Sequence, residues 1–191
     1  MPSLKSRTEV LMDSQVDGAT LVAAAAASAL PAAAKYTFEP GYFGVVGKAI
    51  RLRASGRQSC AVTTPGTARW DTRLVSPVPT TVVAFDGLAM NMNIVAKVNV
   101  HWWLDITLVA RVIGGAAQLF PGPAMWGSEA CVGSPLPTVG GSGMLNLPVA
   151  TAPALGAAFD ATLQQTLDLF YTPSLGTASM TLHNYFLEAL N

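Results

Sequence analysis

Charge is what this sequence has least of. Lys, Arg, Asp and Glu make up 12% of its 191 residues, about half of the roughly 25% usual in soluble domains. The eleven basic and eleven acidic side chains cancel to a formal net charge of +0. Such a chain has little electrostatic repulsion to hold it away from copies of itself or from other surfaces. No long basic block is present, which argues against nucleic acid as a partner. Arg51, Arg53 and Arg57 alternate with apolar residues, the pattern of one solvated or salt-bridged strand face.

Cysteine and histidine are also scarce, with two of each. Cys60 and Cys131 lie far apart and match no metal spacing. One disulfide is possible if they meet; two free, buried thiols are the expectation, in keeping with assembly in a reducing compartment. His101 and His183 are too few for a histidine metal cluster, and the acidic residues lack the spacing of a calcium loop. No metal and no cofactor is expected.

Long apolar runs are missing too. The candidate is "LVAAAAASALPAAAKYTF", residues 21–38. Its alanine-rich part is shorter than the roughly 20 residues of a spanning helix, and Pro31 interrupts it, so no membrane helix is expected. A signal peptide places basic residues directly before its apolar core, whereas Glu9, Asp13 and Asp17 intervene after Lys5 and Arg7. Two readings remain. Alanine is the best helix former, so residues 20–29 could form a short helix. Alternatively, residues 1–35 are an extended arm docked on a neighbouring subunit, and a docked arm is favoured over a free tail.

What is abundant is alternation. In "NVHWWLDITLVARV", residues 99–112, Val100, Trp102, Leu104, Ile106, Leu108, Ala110 and Val112 share one parity, while Asn99, His101, Asp105, Thr107 and Arg111 take the other. A strand separates these sets onto two faces and a helix mixes them. In "AIRLRASGRQSCAV", Ile50, Leu52, Ala54, Cys60 and Val62 oppose Arg51, Arg53, Arg57 and Ser59, with Gly56 a kink or a turn. Pro65-Gly66 reads as a tight turn, so residues 48–63 and 67–75 are expected to pair as a hairpin. Further strands are expected near 80–85, 116–120, 124–132, 143–149, 164–172 and 179–190, with a loop at 133–143. The chain should therefore be all-β: a single antiparallel β-sandwich of jelly-roll type over 36–191, preceded by an N-terminal arm over 1–35.

No catalytic constellation stands out. Gly47-Lys48 lacks the rest of a phosphate loop, because Tyr42 and Ala49 occupy positions that need Gly and Ser or Thr. Gly140, Ser142 and Met144 fail the nucleophile-elbow pattern at the last position. His101 and Asp105 share a strand face but lie about 13 Å apart by strand rise. An enzyme is not expected. Trp103 is more informative. Adjacent Trp102 and Trp103 face opposite sides, so with Trp102 inward Trp103 points out. It could anchor a subunit contact, stack on a sugar, or be covered by the chain's own loops. Tyr42, Phe43, Arg51, Arg53, Trp103 and Trp126 are the candidate interface residues.

The segments "FGVVGKAIRLRASGR", "TTPGT", "VNVHWWLD", "SEACVGSPLPTVGGSG" and "LHNYFLEALN" together resemble a family of small structural proteins encoded in the virion-gene blocks of tailed bacteriophages. The likeness extends from about residue 30 onward. It implies a virion protein assembled in the host cytoplasm: a capsid decoration (cement) protein acting as a homotrimer on the major capsid protein or other virion proteins, or alternatively a tail or fibre component with a receptor- or glycan-binding role. It carries over no functional residues.

Overall fold

The computed structural model describes residues 8–14, 16–61, 63–78, 80–133 and 143–190. They form two antiparallel sheets from β1 (Thr8–Asp13), β2 (Ala27–Ser28), β3 (Thr37–Phe38), β4 (Ala49–Cys60), β5 (Thr67–Val75), β6 (Thr81–Asp86), β7 (Met90–Met92), β8 (Lys97–Val112), β9 (Gln118–Ser128), β10 (Cys131–Gly133), β11 (Gly143–Asn146), β12 (Gln165–Pro173) and β13 (Ser179–Leu190). The first sheet runs β1-β13-β4-β8-β9-β11. The second runs β10-β7-β5-β12-β2, with β3 also on β12 and β6 on β5. The all-β antiparallel sandwich expected from the alternation is what the chain forms.

The core follows the same parity. From β4 it takes Ile50, Leu52, Ala54 and Cys60, and from β8 it takes Trp102, Leu104, Ile106, Leu108 and Ala110. Between the sheets Trp70 packs against Trp102, Tyr171 and Trp126, with ring centroids 4.7, 4.9 and 6.1 Å away. The buried amide of Gln58 is satisfied within this core: its Nε2 donates to the Tyr171 hydroxyl at 2.8 Å, and Ser128 Oγ donates to its Oε1 at 3.1 Å. Both cysteines are free and buried. Burial pushes the Cys131 thiol up to about 12, so neither geometry nor acidity makes it reactive.

The expected hairpin of 48–63 with 67–75 does not form. β4 is held on both sides, by β13 and β8, and β5 lies in the other sheet against β12, β6 and β7. Alternation looks the same whether a strand doubles back or crosses the core, so parity alone could not separate the two. Gly66, at φ 73°, turns the connection. Gly56 makes no turn and sits inside β4. A Cβ there would collide with the Thr181 carbonyl oxygen, opposite a bulge at Leu182/Asn184.

The arm is docked rather than free, and its described residues pair with strands of its own chain instead of forming the short helix over 20–29. Residues 8–14 and 16–21 run antiparallel along β13, from Thr8 opposite Leu190 to Leu21 opposite Met180. The chain then crosses to the other sheet, where Ser28 and Phe38 pair with β12. One side of the sandwich is thereby closed from sheet to sheet. Alanine's helix preference is overridden because Ala29, Leu30 and Ala34 are buried against the body. The helical turn that survives among the described residues is the 3-10 segment Ala32–Ala34. Residues 134–142 of the expected loop lie outside the described residues.

Candidate functional site

Most of the little charge among the described residues is already paired internally. Six of their basic side chains form ion pairs: Lys35–Asp168, Arg51–Asp105, Arg53–Glu188, Arg69–Asp86, Arg73–Asp71 and Lys97–Glu129. His183 meets Asp17 at 2.9 Å. Among the described residues no three His, Cys, Asp or Glu gather in a metal-binding group. His101 and Asp105 are not brought together: Asp105 accepts from Arg51 Nε at 2.9 Å, while His101 borders a separate depression with Glu129 and Met144. No helix among the described residues is long and apolar enough to cross a membrane.

Two surfaces stand out. The first is one end of the sandwich, where three turns converge. Gly47 N donates to Ala110 O at 2.8 Å, Ala161 N to Gly114 O at 3.0 Å, and Gly41 N to Ala161 O at 2.8 Å. These bonds tie the turns at 41–47, 112–116 and 160–163 together. Their outward side chains are Val45, Val46, Val112, Ile113 and Leu163, at 69, 59, 37, 43 and 39% exposure. Val78, also exposed, borders the same end beside Gly115 and Leu163. Beneath it Phe38, Tyr42, Phe43 and Phe159 interlock with centroids 4.6 to 5.8 Å apart. Burial pushes the Tyr42 hydroxyl up to about 12. An apolar cap on a rigid aromatic base is uncommon for a surface that water alone covers.

The second surface is the outer face of the six-stranded sheet. One row across it, set by the register, reads Asn184, Ser55, Trp103, Gly127 and Met144. The next reads Phe186, Arg53, Asp105 and Met125. Trp103 stands between two small residues. On one side its indole covers Gly127, where any Cβ would collide with it. On the other, Ser55 is too short to reach it, leaving a depression of about 230 Å³ walled by Trp103, Phe186, Arg53, Asp105 and Asn184. The Arg53 guanidinium lies 5.8 Å from the Phe186 ring and bonds Glu188 at 2.7 Å.

The six candidate interface residues therefore divide. Arg51, Arg53 and Trp103 lie together on the outer sheet face. Tyr42 underlies the apolar end. Phe43 and Trp126, at 1% and 0% exposure, are packed in the chain's own core and have no surface to offer a partner. Parity would have placed Trp126 inward with Ala124, opposite Met125 and Gly127. The apolar end went unnoticed because most of its residues belong to turns, where no periodicity flags them, and because parity assigned Val112 to the core face, whereas it lies exposed at the end of β8. The signal available was "GVVG", two valines held in a glycine-flanked turn.

No protein family matches the chain, and no curated protein does. Among solved structures one similar chain is the CBM2 module of the evolved Dit of Lactobacillus casei BL23 phage J-1. It is 12% identical, with 98% of each chain covered and a TM-score of 0.35, a superposition too loose to bear on function.

Proposed function

We propose that this chain is a structural component of a tailed-phage virion, acting as a head-decoration protein that binds the shell as a homotrimer and catalyses no reaction. The sequence resemblance supplies the setting. The observation that carries the reading is the apolar end, where Val45, Val46, Val112, Ile113 and Leu163 sit uncovered on a stiff aromatic base. Burying one such side chain contributes about 1.5–3 kcal/mol at most. A single subunit would hold weakly, and linking three turns that into lasting attachment through effective concentration. Ion pairs satisfied within the chain leave few charges to be stripped of water on docking. The test is the mass of the purified protein by light scattering together with immunogold labelling of intact particles. The reading expects three times the 19.8 kDa of one chain and label on heads; a monomer absent from heads contradicts it.

A second reading, a tail or fibre component with a receptor- or glycan-binding role, is favoured by the Trp103 depression. Gold confined to tails would select it.

A further inference from the structure

We propose that the depression beside Trp103 binds one uncharged pyranose unit of a glycan. The inference names the ligand class for the second reading and rests on that reading only in needing this face open in the virion. It does not depend on whether the chain sits on heads or tails.

A pyranose ring has an apolar C–H face and an equatorial belt of hydroxyls, each able to donate and accept. The site offers the complement of both. Trp103 and Phe186 provide aromatic walls on neighbouring rows. Around them stand Asn184 and Ser55, which both donate and accept, Arg53, which donates, and Asp105, which accepts. The depression, about 230 Å³, has room for about one ring, and the outer face continues past it with Met125 and Gly127.

Charge decides which ring. Arg53 is bonded to Glu188 and Arg51 to Asp105, so both guanidiniums flanking Asp105 are matched by a carboxylate. A carboxylated or phosphorylated sugar would meet Asp105 and Glu188; an amino sugar would meet Arg51 and Arg53. A neutral ring meets neither penalty and still finds planar polar groups held in place by their own ion pairs, so little order is lost when it binds. The same pairing argues against a charged peptide segment as the occupant. Among the described residues, Ser55 and Gly127, the cross-strand neighbours of Trp103, are too small to cover it.

The test uses the whole purified protein and follows the indole N–H signals by NMR. Methyl glycosides of glucose, galactose and N-acetylglucosamine are titrated in, with glucuronic acid and glucosamine as charged counterparts. At least one neutral glycoside is expected to shift the Trp103 signal with a Kd on the order of 1 mM, as suits one stacked ring in an open depression. The charged counterparts should bind about tenfold more weakly or worse. Asn184→Ala should abolish the response while all indole signals keep their folded positions. No shift with any neutral glycoside, equal binding of charged ones, or full binding by Asn184→Ala overturns the proposal. So does a Trp103 signal that responds only to protein concentration, which would make this face a self-contact. None of these outcomes alters where immunogold places the protein, so failure here and failure of the virion reading are told apart.

Discussion

Trp102 and Trp103 are neighbours on one strand, yet they belong to different parts of the molecule. Trp102 lies between the sheets, fully buried, 4.7 Å from Trp70, with its Nε1 donating to Arg57 O at 3.1 Å. Trp103 lies on the outer face over Gly127, flanked by paired charges. The inner surface of this sheet is continuous, aromatic and closed. The outer one is polar, neutral and left open around a single indole. Stability resides on the first and glycan recognition is assigned to the second, with the separation made by strand parity alone.

Substitutions should pull the two faces apart. The largest effect is expected from Trp102→Ala, which leaves a cavity in the aromatic core and should cost about 3–5 kcal/mol, read as a lowered urea midpoint. Next comes the contrast between covered and open ion pairs. Asp168 is nearly buried on the second sheet, where it accepts from Lys35 Nζ at 2.6 Å, Ser28 Oγ at 2.7 Å and Leu169 N at 2.9 Å. Asp168→Ala should cost about 1.5–3 kcal/mol and loosen the arm, seen as faster amide exchange over residues 27–38. Glu129→Ala, removing the open pair with Lys97, should cost less than about 1 kcal/mol.

Alkali should weaken the core in a defined window. The unfolded chain releases the Cys131 proton near 9.0, whereas the fold holds it to about 12. Unfolding is therefore favoured progressively as pH rises through that range, and the stability from this thiol is fully present below it. Burial raises the Tyr171 and Tyr185 hydroxyls in the same direction. Urea midpoints should fall from about pH 9 upward, and Cys131→Ala should flatten the early part of that fall. The smallest effect belongs to Trp103→Ala, expected to change stability by less than about 1 kcal/mol. A loss as large as that for Trp102→Ala would erase the distinction between the faces.

The faces were legible in the sequence and the connections were not. The parity of Val100 to Val112 assigns Trp102 and Trp103 to opposite sides correctly, and that of Arg51, Arg53 and Arg57 marks the outer face of β4. Pairing partners depend on contacts between distant segments, so the supposed hairpin turned out to be a crossing between sheets. The helical alternative for residues 20–29 failed for a related reason. A run of alanines carries helical preference but no pattern, and its extended course is dictated by the unpaired edges of β13 and β12. Asn184 and Phe186, which complete the depression, sit outward in "HNYFLE" and could be recognised only once β13 was known to lie beside β4.

The most direct test of the central claim, that this protein works by adhesion through its apolar end, is co-sedimentation with phage heads stripped of it. The unaltered protein should pellet with the heads, and a double variant, Val46→Asp with Ile113→Asp, should remain in the supernatant while its core tryptophans stay folded. Equal pelleting of both proteins, or of neither, would contradict the account.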